Sequence, residues 1–292
     1  MKIYILSDES WFGGASIANY RIAEAFEEAG HTVEVKTVNQ TENTWNEDYT
    51  ADLYIVANWA YIPKLQLEKL FYNHKVVKFY HDIPGYMYQP KTVKFEQHYN
   101  LMQYMNNNAL LNVYISPLQA DIYNRFIAIN KNNTIILPPP KDMNGFEDKK
   151  SLKRNGKALY LGDISEARGI SDTIQIATQN NWELDLIGPH VDKKLAESLI
   201  EQGYKVPGMV GNDKVKSLMN EYSYFIYVPQ LIDSFCFKIV EAELCGMEII
   251  ADHYRIGRYY YQHTGEELKE MIQNSHYKLV KEVEKRLNDS RE

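Results

Sequence analysis

Residues 233–244, Asp233-Ser-Phe-Cys-Phe-Lys-Ile-Val-Glu-Ala-Glu-Leu244, are the most informative part of this chain. They lie between two apolar runs, residues 224–228 and 247–251, which have the length and composition of buried strands. We interpret the segment between them as a helix that starts near Phe235. A strand, a helix and a second strand in this order predict a βαβ unit, the building block of a parallel sheet.

Two carboxylates accompany this helix. Asp233 precedes it in a loop, and Glu241 lies eight positions further on, inside the helix. A helix N-terminus favours anions because its first N–H groups are free and its dipole is positive there. Acids that flank an anion site are placed to bind hydroxyl groups. The pattern favours a ligand with a diphosphate between two polyhydroxylated ends, and a nucleotide-sugar is the simplest such ligand.

Length and charge limit the possible classes. A chain of 292 residues predicts about two domains. The net charge of −7 is spread evenly, which argues against a general surface for binding polyanions. Residues 64–131 are the exception, with 8 basic and 4 acidic side chains. This local excess indicates either a solvated face or a phosphate-binding patch.

The two cysteines, Cys236 and Cys245, lack the spacing of metal ligands and favour a reducing compartment. The first eight residues turn polar too early for a signal peptide. No run approaches the roughly 20 apolar residues that span a bilayer. We therefore expect a cytoplasmic protein without a transmembrane segment, and peripheral membrane contact stays open.

Short apolar runs alternate with helical patterns along the whole chain, which predicts an α/β protein with parallel sheets. A helix is expected from Ser16 as N-cap to Gly30 as the residue after its end, and another opens at Ser116-Pro117. A weaker extended piece is expected near residues 204–210. The predicted strands are residues 2–6, 32–38, 53–57, 76–80, 112–115, 134–137, 158–161, 184–187, 224–228 and 248–251.

Three consecutive prolines, Pro138 to Pro140, continue neither a helix nor a strand and indicate a domain boundary. We predict Rossmann-like domains over residues 1–145 and 146–292. A terminal helix over about residues 265–288 is placed to pack back on the first domain. The two sheets would face a cleft at the carboxyl ends of their strands, where open parallel sheets bind ligands.

Other candidate residues follow strands. Gly13-Gly14 precedes a helix and would let backbone N–H groups approach a ligand, although an ordinary turn explains it equally well. The spacing is not that of a nicotinamide-type dinucleotide fingerprint. His81 directly follows a strand, where function concentrates, and a buried, satisfied histidine is the alternative. Arg168 lies in a loop between Gly162 and Gly169 that could cradle phosphate, unless it is merely solvated.

Lys238 lies in the first turn of the helix after Asp233, where a cation is unfavourable unless an anion is near. It is therefore a candidate contact for a diphosphate, and an exposed lysine is the alternative. Five loop aromatics could stack on an acceptor ring or simply pack, with Trp11 and Tyr86 as the first candidates. The other three are Trp59, Tyr61 and Tyr88.

In this order, these motifs resemble the retaining glycosyltransferases of the GT-B fold, in particular the large family four, over nearly the whole chain. The most specific element is Asp233 to Glu241, which resembles the family's Glu-x7-Glu with Asp in place of the first Glu. The supporting matches are Gly13-Gly14-Ala15, His81-Asp82, Val113 to Ser116, Ile135 to Pro138 and Leu161 to Gly169.

The resemblance implies that residues 1–145 form the acceptor side and residues 146–292 the donor side, and it implies a role for each position. Glu241 would bind the ribose hydroxyls. Asp233, with the backbone amides that run through Phe235, Cys236 and Phe237, would hold the hydroxyls of the donor sugar. Arg168 would neutralise the departing diphosphate, with Gly162 in the same loop. His81 would contact the donor sugar near the reacting carbon, and Gly13 and Gly14 would lie close to the donor phosphate and the acceptor.

Departures from the family pattern affect the leaving-group site. Asp163 stands where the family has an arginine, which replaces a positive charge with a negative one. Lys238 is the side chain that could compensate. The linker reads Pro-Pro-Pro instead of Pro-Asn-Gly, and the first acid is shorter by one methylene.

The resemblance implies transfer of a hexose with retention from a nucleotide-sugar, with UDP as the default nucleotide. Since no Asp-x-Asp motif has metal-like surroundings, we expect no essential metal. The acceptor stays open among a glycan, a lipid-linked sugar, a small molecule and a hydroxymethylated pyrimidine in DNA. A nucleotide-sugar epimerase and a GT-B module without turnover are the competing functions.

Overall fold

The structure is a computed structural model that describes residues 1–7, 13–37, 50–57, 59, 62–83, 95–147 and 153–289. Trp11, Tyr61, Tyr86 and Tyr88 lie outside these residues. The chain forms two compact units. The first comprises Met1–Asp142 with Glu270–Glu292, and the second comprises Met143–Lys269.

A six-stranded, fully parallel sheet forms the first unit, in the order β2-β1-β3-β4-β5-β6. Every residue of β3, β4 and β5 is buried, as expected where helices cover both faces of a parallel sheet. The edge strand β2 is mostly exposed or half-buried. The strands are β1 (Lys2–Ser7), β2 (Thr32–Thr37), β3 (Leu53–Val56), β4 (Val76–Tyr80), β5 (Leu111–Tyr114) and β6 (Thr134–Ile136).

Four helices connect these strands: α1 (Gly14–Glu28), α2 (Lys64–Asn73), α3 (Phe95–Asn108) and α4 (Pro117–Tyr123). The expected Ser16 N-cap is wrong, because α1 already begins at Gly14 with the extended Gly13 as N-cap, and Ser16 is buried inside it. The expected end is confirmed: Gly30 follows the helix with a φ of +85°. Ser116 caps α4 as predicted, since its hydroxyl accepts from the Gln119 N–H at 3.1 Å.

The second unit holds a four-stranded parallel sheet in the order β10-β9-β7-β8. The chain runs from β7 to β8 on one side and then places β9 on the other side of β7. The strand order therefore reverses between β7 and β9. The elements are β7 (Ala158–Leu161), α5 (Ile170–Gln179), β8 (Leu184–Ile187), α6 (Lys193–Glu201), α7 (Asn212–Glu221), β9 (Tyr224–Tyr227), α8 (Phe237–Leu244) and β10 (Glu248–Ala251).

The weaker extended piece expected near residues 204–210 makes one isolated parallel bridge, between Lys205 and Asp185 of β8. A second sequence prediction in this unit needs correction. The helix expected from Phe235 starts two residues later, at Phe237. Cys236 precedes it with a left-handed φ of +64°, so α8 cannot extend back through that residue to Phe235.

The chain ends in α9 (Gly265–Asp289), whose last twenty described residues belong to the first unit. Tyr277 donates to the Glu28 carboxylate at 2.8 Å, and Glu284 lies 3.2 Å from the His31 ring. Arg286 donates to the Asn132 carbonyl at 3.0 Å. Among the described residues, no helix is long and apolar enough to cross a membrane.

Candidate active site

The reversal of strand order between β7 and β9 brings two polar loops together. In a parallel sheet, such a switch point opens a crevice at the carboxyl ends of the strands. The loop after β7 ends in a short 3-10 turn, Glu166–Arg168, followed by Gly169 with a φ of +76°. A Cβ atom on Gly169 would lie 1.9 Å from the Val228 carbonyl oxygen. Glycine is therefore what allows this loop to lie against the end of β9.

Arg168 meets Asp233 at this point, although 65 positions separate them along the chain. The Arg168 Nη1 atom lies 3.4 Å from Asp233 Oδ2 and 3.2 Å from the hydroxyl of Tyr227, the last residue of β9. The Tyr227 hydroxyl donates to the same Asp233 Oδ2 at 2.8 Å. The three side chains form one hydrogen-bonded group with the phenol between the two charges.

The backbone holds Asp233 on both sides. Its N–H donates to the Arg255 carbonyl at 2.7 Å, and its carbonyl accepts from the Gly257 N–H at 2.9 Å. Its Oδ1 atom accepts from the Phe235 N–H at 3.1 Å. Both carboxylate oxygens therefore have protein partners, and the Phe235 amide is already used within the loop.

Asp163 also faces Arg168, with its Oδ2 atom 3.7 Å from Arg168 Nε. Burial disfavours the guanidinium, but Tyr227 and the two carboxylates raise the pKa of Arg168 above its ordinary value. Arg168 stays charged between two acids. Within the described chain, its Nη2 atom has no hydrogen-bond partner, and the side chain is about one-third exposed, at 36%. One edge of the guanidinium is thus open to an anion.

Helix α8 carries a second ion pair. Glu241 is completely buried, and the Lys238 Nζ atom lies 3.5 Å from its Oε2 atom. A buried carboxylate is tolerated when it is paired and hydrogen-bonded, so Lys238 stabilises the charge of Glu241. Lys238 lies in the first turn of α8, as predicted for a helix that starts at Phe235 or at Phe237.

Phe235 and Cys236, which lie between Asp233 and Lys238 along the chain, are at least half-buried. Phe235 is buried, and its ring makes edge-on contacts with Phe237 and Tyr261. Desolvation, and then the charge of Asp233, raise the pKa of the Cys236 thiol well above its ordinary value. Cys236 therefore stays a thiol at neutral pH and is not activated as a nucleophile.

The polar group of the first unit lies at the carboxyl end of β4. His81 is buried, and its Nε2 atom lies 2.9 Å from the Asn19 Oδ1 atom on α1. Burial, and then the charge of Lys78, lower the pKa of His81 to about 3. Lys78 is itself fully buried and donates to the carbonyls of Val56, Ala57 and Phe79. His81 is therefore a neutral hydrogen-bonding group at physiological pH.

The remaining candidates are distributed as follows. Gly13 and Gly14 form the N-cap and first residue of α1, whereas Gly162 directly follows β7. Trp59 is buried and stacks on His98, so it is a packing residue. In the part of the chain that the structure describes, no three His, Cys, Asp or Glu side chains could hold a metal ion.

Sequence reasoning missed Tyr227 and Asn19. Tyr227 is the last residue of a strand predicted from its apolar character, and Asn19 is one polar residue in an amphipathic helix. The position of Tyr227 beside the switch point is the signal that could have singled it out. Asn19 carried no such signal.

No protein-family model and no curated protein matches the chain. Solved structures do match it. Anabaena Alr3699/HepE in complex with UDP and glucose is 17% identical, with a TM-score of 0.65, over 98% of this chain and 91% of that chain. A glycosyltransferase from Rickettsia africae ESF-5 is 12% identical, with a TM-score of 0.66, over 98% of both chains.

A third similar structure is an alpha-glucosyltransferase in complex with UDP and a 13-mer DNA that contains an HMU base. It is 12% identical, with a TM-score of 0.56, and the match covers 97% of this chain and 90% of that chain. Together with the two parallel sheets, these matches confirm the predicted GT-B fold.

Proposed function

We propose that this protein is a retaining glycosyltransferase that moves a hexose from UDP-glucose, or a close relative, to a hydroxyl acceptor. The observation that carries the proposal is the paired arrangement Arg168–Asp233 and Lys238–Glu241 beside the switch point of the second unit. It combines an open cationic edge with two acids, as a diphosphate between two polyhydroxylated groups requires. The HepE structures that share this fold contain UDP with glucose, or UDP-glucose.

Each side chain of the site has a proposed role. The open edge of Arg168 binds the diphosphate and stabilises its charge as the bond to the sugar breaks. Glu241 binds the ribose hydroxyls, and Lys238 pairs with Glu241 while adding positive potential near the leaving group. Asp233 pairs with Arg168 and contributes to the sugar side of the site. The resemblance assigns His81 a contact with the transferred sugar.

The proposed reaction is a same-face substitution at the anomeric carbon. The bond from this carbon to the diphosphate oxygen breaks, and a bond to the acceptor oxygen forms on the same face. The departing phosphate takes the acceptor proton, so the mechanism needs no enzymic nucleophile. Since a guanidinium and an ammonium face the developing charge, we propose that the reaction does not depend on a divalent ion.

A donor screen tests this function. The protein is incubated with UDP-glucose, UDP-galactose and GDP-mannose, with and without glycan, lipid-linked and small-molecule acceptors, and the released nucleotide is measured. We expect acceptor-dependent release of UDP that survives EDTA. We also expect the anomeric carbon of the product to have the same configuration as that of the donor. An inverted linkage or a complete loss of release with EDTA would refute the corresponding part of the proposal.

Glu241→Gln tests the nucleotide end of the site. The amide keeps the size of the buried side chain but removes its charge, so we expect the Kd for UDP and for uridine to rise about tenfold. Glu248→Gln changes an exposed acid at the start of β10 and serves as the control. Unchanged uridine affinity in Glu241→Gln would show that Glu241 does not bind the ribose.

Modified DNA is a second candidate acceptor, because the alpha-glucosyltransferase of the same fold holds DNA with an HMU base. The basic excess over residues 64–131 supports it, although Lys78, one of the eight cations, is buried among carbonyls. Glucose transfer to a 13-mer with hydroxymethyluracil, and DNA binding that weakens steeply with salt, would establish it.

Two competing functions are separated with the donor alone. A nucleotide-sugar epimerase would change the donor without any acceptor, and a binding module would bind UDP without releasing it from the sugar. The pairing of Asp163 with Arg168 lowers the positive charge of the site and is the reason to run this comparison.

A further inference from the structure

The hydrogen bonds around Arg168 point to a role for Tyr227 in orienting its guanidinium group. We propose that Tyr227 is a positioning residue of the donor site: its hydroxyl holds the Arg168 guanidinium on Asp233, so that the Nη2 edge is presented to the diphosphate. This inference rests on the proposed function, and it names the residue that gives the leaving-group cation its orientation.

Arg168 lies between two acids that contact different nitrogen atoms of its guanidinium group. Asp163 approaches its Nε atom at 3.7 Å, and Asp233 approaches its Nη1 atom at 3.4 Å. Both distances are longer than a good charge-assisted hydrogen bond, so neither acid fixes the guanidinium alone. The Tyr227 hydroxyl accepts from Nη1 at 3.2 Å and donates to Asp233 at 2.8 Å. It adds a second, bridging connection between Arg168 and the anchored carboxylate beside their long direct contact.

Tyr227 is suited to this task because its ring is fixed. It ends β9, it is 4% exposed, and its ring stacks on Tyr160 of the neighbouring strand β7. Desolvation, and then the charge of Asp233, raise the pKa of Tyr227 well above its ordinary value. The phenol therefore keeps its proton, donates to Asp233 and accepts from Arg168 at any physiological pH.

The arrangement leaves one edge of the guanidinium for a ligand. Nε and Nη1 face protein oxygens, whereas Nη2 has no partner within the described residues. Without the Tyr227 hydroxyl, Arg168 would be free to turn towards Asp163, whose side chain is 42% exposed. The acid that replaces the family's arginine would then compete with the diphosphate for the same cation.

Tyr227→Phe tests this role, because it keeps the ring and removes the hydroxyl. We expect the Kd for UDP to rise about tenfold, as for a lost hydrogen bond to a charged group. The Kd for uridine should stay within about twofold, because uridine has no phosphate to meet Arg168. Calorimetry with both ligands separates positioning from damage, since a disturbed fold would weaken both.

Tyr222→Phe is the matched control. Tyr222 is a buried tyrosine of the same unit whose hydroxyl donates to a buried acid, Asp185, outside the Arg168 group. It should leave the Kd values for UDP and uridine unchanged. In an Arg168→Lys background, Tyr227→Phe should cause no further loss of UDP affinity. The proposal would be overturned if the two substitutions together weakened UDP affinity by the product of their separate effects. It would also be overturned if Tyr227→Phe weakened uridine binding as much as UDP binding.

Inorganic pyrophosphate separates this inference from the proposed function. If the protein bound no nucleotide but bound pyrophosphate, and Tyr227→Phe weakened that binding about tenfold, the nucleotide-sugar function would fail while the positioning role stood. If the unchanged protein bound neither UDP nor pyrophosphate, Arg168 would not be an anion site and both would fall.

Discussion

His81 shows how a buried environment selects one chemical form of a residue. The loss of water on burial, and then the charge of Lys78, oppose a second proton on the ring and lower its pKa, so the neutral form persists well below neutral pH. With Nε2 donating to the Asn19 Oδ1 atom, the Nδ1 atom is the acceptor of the ring. The Asn19 Nδ2 atom is buried without a partner among the residues that the structure places. His81 is therefore a neutral hydrogen-bonding group rather than a general acid.

The low pKa of His81 predicts a pH-dependent stability. Between the ordinary pKa of 6.5 and the folded value of about 3, the unfolded chain binds a proton at His81 that the folded protein does not. The free energy of unfolding must then fall as pH falls, by about 1.4 kcal/mol per pH unit from this group. Urea unfolding at pH 6.5 and 5.0 should show about 2 kcal/mol more loss for the unchanged protein than for His81→Gln. Equal losses in both proteins would refute the neutral, buried state of His81.

The candidate site was predictable in part, and the missing part has a physical reason. Asp233 and Glu241 stand out in the sequence through their spacing around a predicted helix start, and Arg168 stands out as the arginine of a loop with glycines at both ends. Their roles stay predictions. Tyr227 and Asn19 gain meaning only from partners 6 and 62 positions away along the chain, and no local pattern marks such pairs. Likewise, Asp163 reads as a lost positive charge in the sequence, whereas the structure shows it paired with Arg168.

At the scale of elements, the loop after β7 depends on one glycine. Gly169 has a φ of +76°, and a Cβ atom there would overlap the Val228 carbonyl oxygen at 1.9 Å. The loop and the end of β9 can be adjacent only without that atom. Because Arg168 precedes Gly169 directly, the same contact sets the position of the guanidinium.

Gly169→Ala should destabilise the protein more than a positive φ alone explains. Gly156→Ala is the matched control, since Gly156 has a φ of +75° but no atom within 4 Å of the added Cβ. We expect Gly156→Ala to lower the free energy of unfolding by about 1 kcal/mol, and Gly169→Ala by about 2 kcal/mol more. Chemical denaturation measures both, and UDP affinity should fall only for Gly169→Ala. Equal effects would show that the loop moves away from β9 without penalty.

The start of α8 shows where pattern reading is least reliable. The apolar character of Phe235 and Phe237 suits a helix over both residues, but the Asp233 side chain binds the Phe235 amide and holds the preceding loop in a turn. Cys236 then adopts a left-handed conformation before the helix begins. Competition between a local side-chain hydrogen bond and the helix, rather than propensity, decides the boundary.

For the whole molecule, the alternation of strands and helices was sufficient to predict the fold class, and the two parallel sheets confirm it. The strand order was not predictable from alternation. β7 pairs with both β8 and β9, and pairing between strands is a property that a single strand does not reveal. The switch point, and with it the meeting of Arg168 and Asp233, follows from this order.

Helix α9 offers a test of how the molecule is divided, because its two ends belong to different units. Leu268 lies in the part that belongs to the second unit, and Leu279 lies in the part that belongs to the first. Both leucines are almost completely buried. Each Leu→Ala change should therefore destabilise its unit by about 2–5 kcal/mol. Tyr277→Phe changes a partly exposed residue of the same helix and serves as the control.

Hydrogen exchange read by mass spectrometry locates each effect, since local unfolding follows cooperative units of structure. Leu268→Ala should raise exchange in the sheet of β7 to β10, and Leu279→Ala should raise it in the sheet of β1 to β6. Both sheets responding equally to both changes would mean that the chain unfolds as one unit. Selective responses would mean that α9 completes two separate cores, so that a substitution in the first unit leaves the loops around Arg168 and Asp233 in the second intact.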